Sequence, residues 1–323
     1  MKRREFVKNS ITFAASLGMP YILVPSASRS KVVIARNDEL IRKNHQVIKE
    51  RVAKYLDQAL LVITGHTSPA AAWKSLFGPR ETVGIKLSCL PGMPLSSSYG
   101  LVMAIVDGLL AAGLNEDNII IWERTERELK KAGFPISKSG VKVLGTDQFQ
   151  GDGYSNNLEI TGSVGTRFSL IMEKVDALIN VPVLKDHDLS GVSASMKNWY
   201  GGIFNPNKFH RNNCNPYLAD LSTHSIIKEK QRLIVCDASR VQINNGPAFS
   251  PRYAWEYGGI LVSRDPVALD YTGWQIIEHR RKQLKMKSLK QVERFPQYIL
   301  TAEKQKLGAA NPRNINTINL GNI

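Results

Sequence analysis

A chain of 323 residues with ordinary apolar and charged fractions has room for one large domain with its own core. Its formal net charge of +15 is not ordinary, and it favours anionic partners or substrates over cationic ones. Its three cysteines, Cys89, Cys214 and Cys236, form no Cys-x-x-Cys pair, which argues against a disulfide scaffold and against a self-contained iron–sulfur cluster with about four thiolate ligands.

In chain order, the first segment is Met1-Lys2-Arg3-Arg4-Glu5-Phe6-Val7-Lys8, the pattern of a twin-arginine export signal. An apolar run from Ile11 to Val24 follows, then the small residues Ser26, Ala27 and Ser28, where a signal peptidase can cut. Residues 1–28 are therefore expected to be a removable signal read by the twin-arginine translocase. That leaves 29–323 as a periplasmic or otherwise extracytoplasmic α/β domain with a net charge of +12, since the signal takes a net +3 with it. The run falls short of the roughly twenty apolar residues that span a bilayer, and no transmembrane segment is expected in the mature chain.

Apolar residues from Leu40 to Leu56 recur at helical spacing and predict a helix. Ser68-Pro69 predicts the capped start of another, through Trp73 to Phe77. Buried strands are expected over 82–87, 118–122 and 141–144, with helices over 98–112 and 125–132 between them. The order resumes with strands over 175–181, 233–236 and 259–263, a helix from Gly191 to Trp199, and one from Pro266 to about Arg281 with Asp265 as its cap. Such alternation implies a mainly parallel sheet flanked by helices, in a single compact unit. The irregular stretch 201–216 is long enough to suggest function.

Chemistry concentrates in Asn180-Val-Pro-Val-Leu-Lys185-Asp186-His187-Asp188, followed by Gly191 and a helix carrying Lys197 and Asn198. Ligands in open parallel sheets bind beyond the carboxyl ends of strands, and a glycine turn feeding a helix offers N–H groups to an anion. Lys185 and Lys197 suit a phosphate or carboxylate, and a buried lysine can also serve as a base. His187 is the candidate general acid/base, with Asp237, at the end of another buried strand, to orient it. Lys86, Asn198, Gly191 and Asn245 are expected to complete the ligand pocket. His210 and Cys214 stand four apart, and with His187 they form a candidate metal site. Asp270 is expected to pair with a basic neighbour.

The basic run His279-Arg280-Arg281-Lys282, continued by Lys285, Lys287 and Lys290, has no interleaved aromatics and matches no nucleic-acid motif. It reads as a solvated helix face, or as a patch for anionic lipid or cell-wall polymer. Walker, Gly-x-Gly-x-x-Gly, Gly-x-Ser-x-Gly and His-Glu-x-x-His motifs are absent from the sequence.

Val83-Gly84-Ile85-Lys86, Asn180 to His187, Ser195-Met-Lys197-Asn198-Trp-Tyr-Gly201, Asn244-Asn245-Gly246-Pro247 and Ser263-Arg-Asp265-Pro266-Val-Ala268-Leu-Asp270 together resemble the domain-of-unknown-function family 362, in its exported twin-arginine branch. After the first motif that family usually continues with Pro-Asn, where this chain has Leu87-Ser88. The resemblance implies the fold and the site. Some members carry ferredoxin-like cysteine clusters, which this chain lacks. The expected function is an exported enzyme of unidentified reaction class acting on an anionic small molecule, with a metal ion or redox cofactor as its candidate aid. The alternatives are a periplasmic anion- or metal-binding accessory protein without catalysis, or a surface-attached protein using its basic run.

Overall fold

A computed structural model describes residues 29–41 and 46–321; the expected export signal over 1–28 lies outside them. The strands are β1 (Ser30–Arg36), β2 (Val83–Lys86), β3 (Ile119–Glu123), β4 (Lys142–Gly145), β5 (Glu159–Thr161), β6 (Val164–Thr166), β7 (Ala177–Asn180), β8 (Val183–His187), β9 (Gly191–Ser193), β10 (Gln231–Gln242), β11 (Ala254–Ser263) and β12 (Ile315–Leu320). The helices are α1 (Lys49–Thr64), α2 (Pro69–Leu76), α3 (Tyr99–Ala111), α4 (Glu126–Lys131), α5 (Leu170–Lys174), α6 (Ser195–Asn198), α7 (Tyr217–Ser222), α8 (Ser225–Lys228), α9 (Pro266–Gln283) and α10 (Gln297–Lys304).

The main sheet runs β12-β1-β11-β10-β7-β2-β3-β4, with β8 against β10 and β9 against β8. From β10 to β4 all neighbours are parallel. The β10–β11 and β11–β1 pairs are antiparallel, so the α/β sheet is mixed but mainly parallel on the side that carries the site.

Period-two alternation sends each strand's side chains to opposite layers. Ile119 and Ile121 pack with Val52, Leu56, Trp73, Ile105 and Leu109 of α1, α2 and α3. Ile120 and Trp122 pack on the other face with Ile171, Met172, Trp199 and Tyr298. Each large aliphatic side chain buried this way contributes about 1.5–3 kcal/mol. The caps follow the sequence: Ser68 accepts from Ala71 N, Thr125 from Glu128 N, and Asp265 from both Val267 N and Ala268 N.

Two local expectations are corrected. The helix expected over Leu40 to Leu56 begins only at Lys49; ahead of it lies the strand β1, for which no element was expected, with Val32 to Ala35 buried between β11 and β12. A four-residue apolar run supports strand and helix alike, and here pairing on both sides decides for strand. Gly191 opens β9, an antiparallel return along β8, and the helix begins only at Ser195.

Candidate functional site

At the carboxyl ends of β2, β3 and β8 lies a cleft of about 460 Å³. It is lined by Lys86, Ser88, Glu123, Lys185, His187, Lys197, Asn198 and His210, among others. Lys185 and His187 face it together because they are two apart on a strand. Asp186, between them, points the other way and accepts hydrogen bonds at one oxygen from Arg294 Nη1 (2.9 Å) and Gly246 N (3.1 Å). Lys197 and Asn198 are brought in by α6, and the long loop after it returns His210 to the same place.

The cations of the cleft divide into two kinds. Lys86 Nζ donates to Glu123 Oε1 (2.7 Å) and to the Leu87 carbonyl (2.6 Å), a buried ion pair whose charge is spent internally. Gly201 is what admits this pair: a Cβ there would lie 2.6 Å from Lys86 Nζ and 2.8 Å from Glu123 Oε1. Arg124 is likewise matched to Glu128. Lys185 and Lys197 are different. Both are buried, and among the described residues neither has a carboxylate within ion-pair distance. Lys185 Nζ donates to Ser88 Oγ at 2.9 Å. Lys197 Nζ stands 3.1 Å from His210 Nε2 and 4.3 Å from the centre of the Tyr200 ring. Burial, which penalises the charged form, lowers the pKa of each lysine from 10.5 to about 8.

The two histidines stack, with ring centroids 5.8 Å apart. His210 Nδ1 lies 3.1 Å from the Pro206 carbonyl, which fixes the proton there and leaves Nε2 to accept from Lys197. His187 Nδ1 accepts from Leu189 N at 3.1 Å, so the proton of the neutral ring sits on Nε2. Asp188 Oδ1 is 3.0 Å from the same Nδ1, but it is mostly exposed and contributes little there. Burial, and then Lys197, push the His187 pKa down to about 2, and the same causes lower that of His210. Both rings are therefore neutral hydrogen-bonding groups at physiological pH.

Other expected site residues lie elsewhere. Asp237 does not meet His187: its oxygens accept from Ser98 N (2.8 Å) and Ser239 N (2.9 Å), which ties the loop before α3 to β10. Gly191 is in the left-handed region (φ 77°) and sits against the Arg294 carbonyl, a packing role. Asn245, also left-handed (φ 61°), shapes the turn that presents Pro247 to the cleft without lining it. The metal set of His187, His210 and Cys214 is not assembled. Cys214 is buried, with Sγ directed at the His210 carbonyl (4.0 Å), and among the described residues no three His, Cys, Asp or Glu side chains come together to hold a metal ion.

The helix start expected to hold an anion is already occupied from within. Asp270 accepts from Ser195 N (2.6 Å) and Met196 N (3.2 Å), so it caps α6 rather than pairing with a basic neighbour. Within the basic run, Arg281 is buried and donates to the carbonyls of Ile243 and Lys287. Arg280, Lys282 and Lys285 line a separate groove with Trp255 and Tyr257.

Sequence reasoning missed Glu123, which ends the run Ile-Ile-Ile-Trp-Glu one residue past the partner of Lys86. A charged residue closing a buried strand was the available signal. Ser88 gave none beyond its place after a strand.

The fold and the cleft define an α/β protein with a buried, lysine-lined cleft at the carboxyl ends of a mainly parallel sheet. The family described as Domain of unknown function (DUF362) matches residues 83–275, more than half of the chain, and the chain belongs to it. No curated protein matches. Among solved structures, the chain is similar to the lactate racemase apoprotein from Thermoanaerobacterium thermosaccharolyticum at 14% identity and a TM-score of 0.47, covering 76% of this chain and 57% of that one. It is also similar to a protein from Thermotoga maritima at 11% identity and a TM-score of 0.42, covering 74% of this chain and 59% of that one. The chain thus spans less than two thirds of either structure.

Proposed function

We propose that this cleft binds an anionic small molecule, and that the protein is an enzyme acting on it by proton transfer. The observation that carries the reading is the pair of buried ammonium groups, Lys185 and Lys197, without carboxylate partners at ion-pair distance among the described residues. Burying an unpaired charge is costly, and a bound anion supplies the missing partner. It would also raise the pKa of whichever lysine pairs with it, so that binding and protonation reinforce each other there.

The roles follow from the protonation states. Neutral His187 offers its Nε2–H as a donor, and the lysines, with pKa values near 8, are the groups able to give and take protons near neutral pH. Thermal melting with phosphate, sulfate and short dicarboxylates tests the reading. At least one should stabilise the wild-type protein, and Lys197→Met should abolish that shift. No shift with any of them would overturn it. An anion recovered chemically unchanged with every candidate would leave a binding protein without catalysis.

For location, we take residues 1–28 as a twin-arginine signal on their sequence pattern alone, which places the site outside the cytoplasm. Cell fractionation checks this: Arg3→Lys with Arg4→Lys should retain the chain in the cytoplasm, and unchanged export would refute it.

A further inference from the structure

Resting on the anion-site reading above, we propose that Ser88 is a nucleophile with Lys185 as its general base, and that the cleft performs acyl transfer on small esters or thioesters bearing a second, anionic group. Lys185 Nζ and Ser88 Oγ are 2.9 Å apart, both are buried, and both line the cleft. A nucleophile and base within hydrogen-bond reach is the minimal requirement for activating a hydroxyl. Lys185 has no other hydrogen-bond partner among the described residues, so nothing competes with the serine for it.

Ser88 is also held as a nucleophile must be. Its N–H donates to Ser97 Oγ (2.9 Å), Ser97 N donates back to the Ser88 carbonyl (3.0 Å), and Ser97 Oγ is anchored on the Val181 carbonyl (2.6 Å). On one side Leu87 N donates to the Trp122 carbonyl (3.0 Å), and on the other Cys89 N donates to Glu123 Oε2 (2.9 Å). The hydroxyl therefore stands on a backbone fixed at both flanks, just past the end of β2. Cys89 is no rival, because burial pushes its thiol well above the ordinary range and it does not line the cleft.

The labour divides between the two lysines. Lys197 holds the anionic group of the substrate. Lys185, neutral in a usable fraction because burial brings its pKa to about 8, takes the Ser88 proton as Oγ bonds to the acyl carbon. The carbonyl π pair moves to oxygen, where the His187 Nε2–H is the available donor. On collapse the C–O or C–S bond to the leaving group breaks, and Lys185 returns the proton to it. Water, deprotonated by the same lysine, then cleaves the acyl–Ser88 bond and Oγ recovers its proton. The net reaction is ester plus water to acid plus alcohol, or thiol from a thioester, with no oxidant or reductant.

The test uses the full mature chain with mono-p-nitrophenyl succinate as probe, alongside calorimetric binding of inorganic phosphate. The expected result is a burst of nitrophenolate with an acyl adduct on the peptide containing Ser88. Ser88→Ala should lower the release rate at least 100-fold while phosphate still binds. Lys185→Arg, which keeps the charge but not the base, should keep phosphate binding and lose the burst. If phosphate binds but release is no faster than with Ser88→Ala, or the adduct maps to another residue, the nucleophile assignment fails and the anion site stands. If wild-type protein binds no phosphate and no probe, the anion-site reading fails and takes this one with it.

Discussion

Lys185→Met should make the empty protein more stable, although it removes a residue the site depends on. Lys185 is buried, and its folded pKa is about 8 against an ordinary 10.5. Holding it charged at pH 7 therefore costs the native state about 3 kcal/mol. Methionine fills similar space without charge. It gives up the hydrogen bond to Ser88 Oγ, worth about 1 kcal/mol, since that hydroxyl borders the cleft and water can replace the donor. The net expectation is a gain of about 2 kcal/mol at pH 7. The pH dependence has a definite sign. Between about pH 8 and 10.5 the unfolded chain binds more protons at this lysine than the native state does, so the lysine's penalty shrinks as pH rises across that window. The advantage of the variant should therefore be largest at pH 7 and vanish at about pH 10. Urea denaturation followed by tryptophan fluorescence, in buffer free of phosphate and carboxylates, measures both. A variant less stable than wild type at pH 7, or a difference that does not change between pH 7 and 10, would refute the reasoning.

Glu123→Gln should cost about 3–5 kcal/mol in the same denaturation experiment, because it strands the buried Lys86 charge. Adding Lys86→Met should restore most of that loss; equal stability of the single variant and wild type would contradict the pairing. Gly191→Ala should destabilise by at least about 1–2 kcal/mol, since its left-handed backbone disfavours a side chain and the new Cβ would meet the Arg294 carbonyl at 2.0 Å. Thermal melting checks this, and a loss of phosphate affinity without loss of stability would return Gly191 to a ligand-binding role.

The parallel half of the sheet was legible because its strands are apolar runs separated by capped helices, as at Ile119–Glu123 and Glu126–Lys131. Lys185, His187, Lys197, Asn198 and Lys86 were legible as a group because they close such runs or follow them, and the fold gathers all five in one cleft. Long-range partners were not legible. Nothing local announces that Asp270 will cap a helix 75 residues earlier, or that Glu123 will neutralise Lys86. The spacing of His210 and Cys214 suggested shared ligation, but spacing carries no direction. The loop turns the His210 ring toward Lys197, while the buried Cys214 thiol is directed at the His210 carbonyl. The protonation state of His187 was equally hidden, because it arises from burial and from lysines that only the fold brings near.

Calorimetric titration of inorganic phosphate into the mature protein, repeated from pH 7 to pH 10, tests the central claim most directly. Two buried ammonium groups facing one anion predict binding that weakens as pH rises through about 8. Lys185→Met and Lys197→Met should each weaken it by at least about tenfold, since a charge-assisted hydrogen bond contributes about 1.5–3 kcal/mol. Phosphate binding that is independent of pH and survives loss of both lysines would contradict the account.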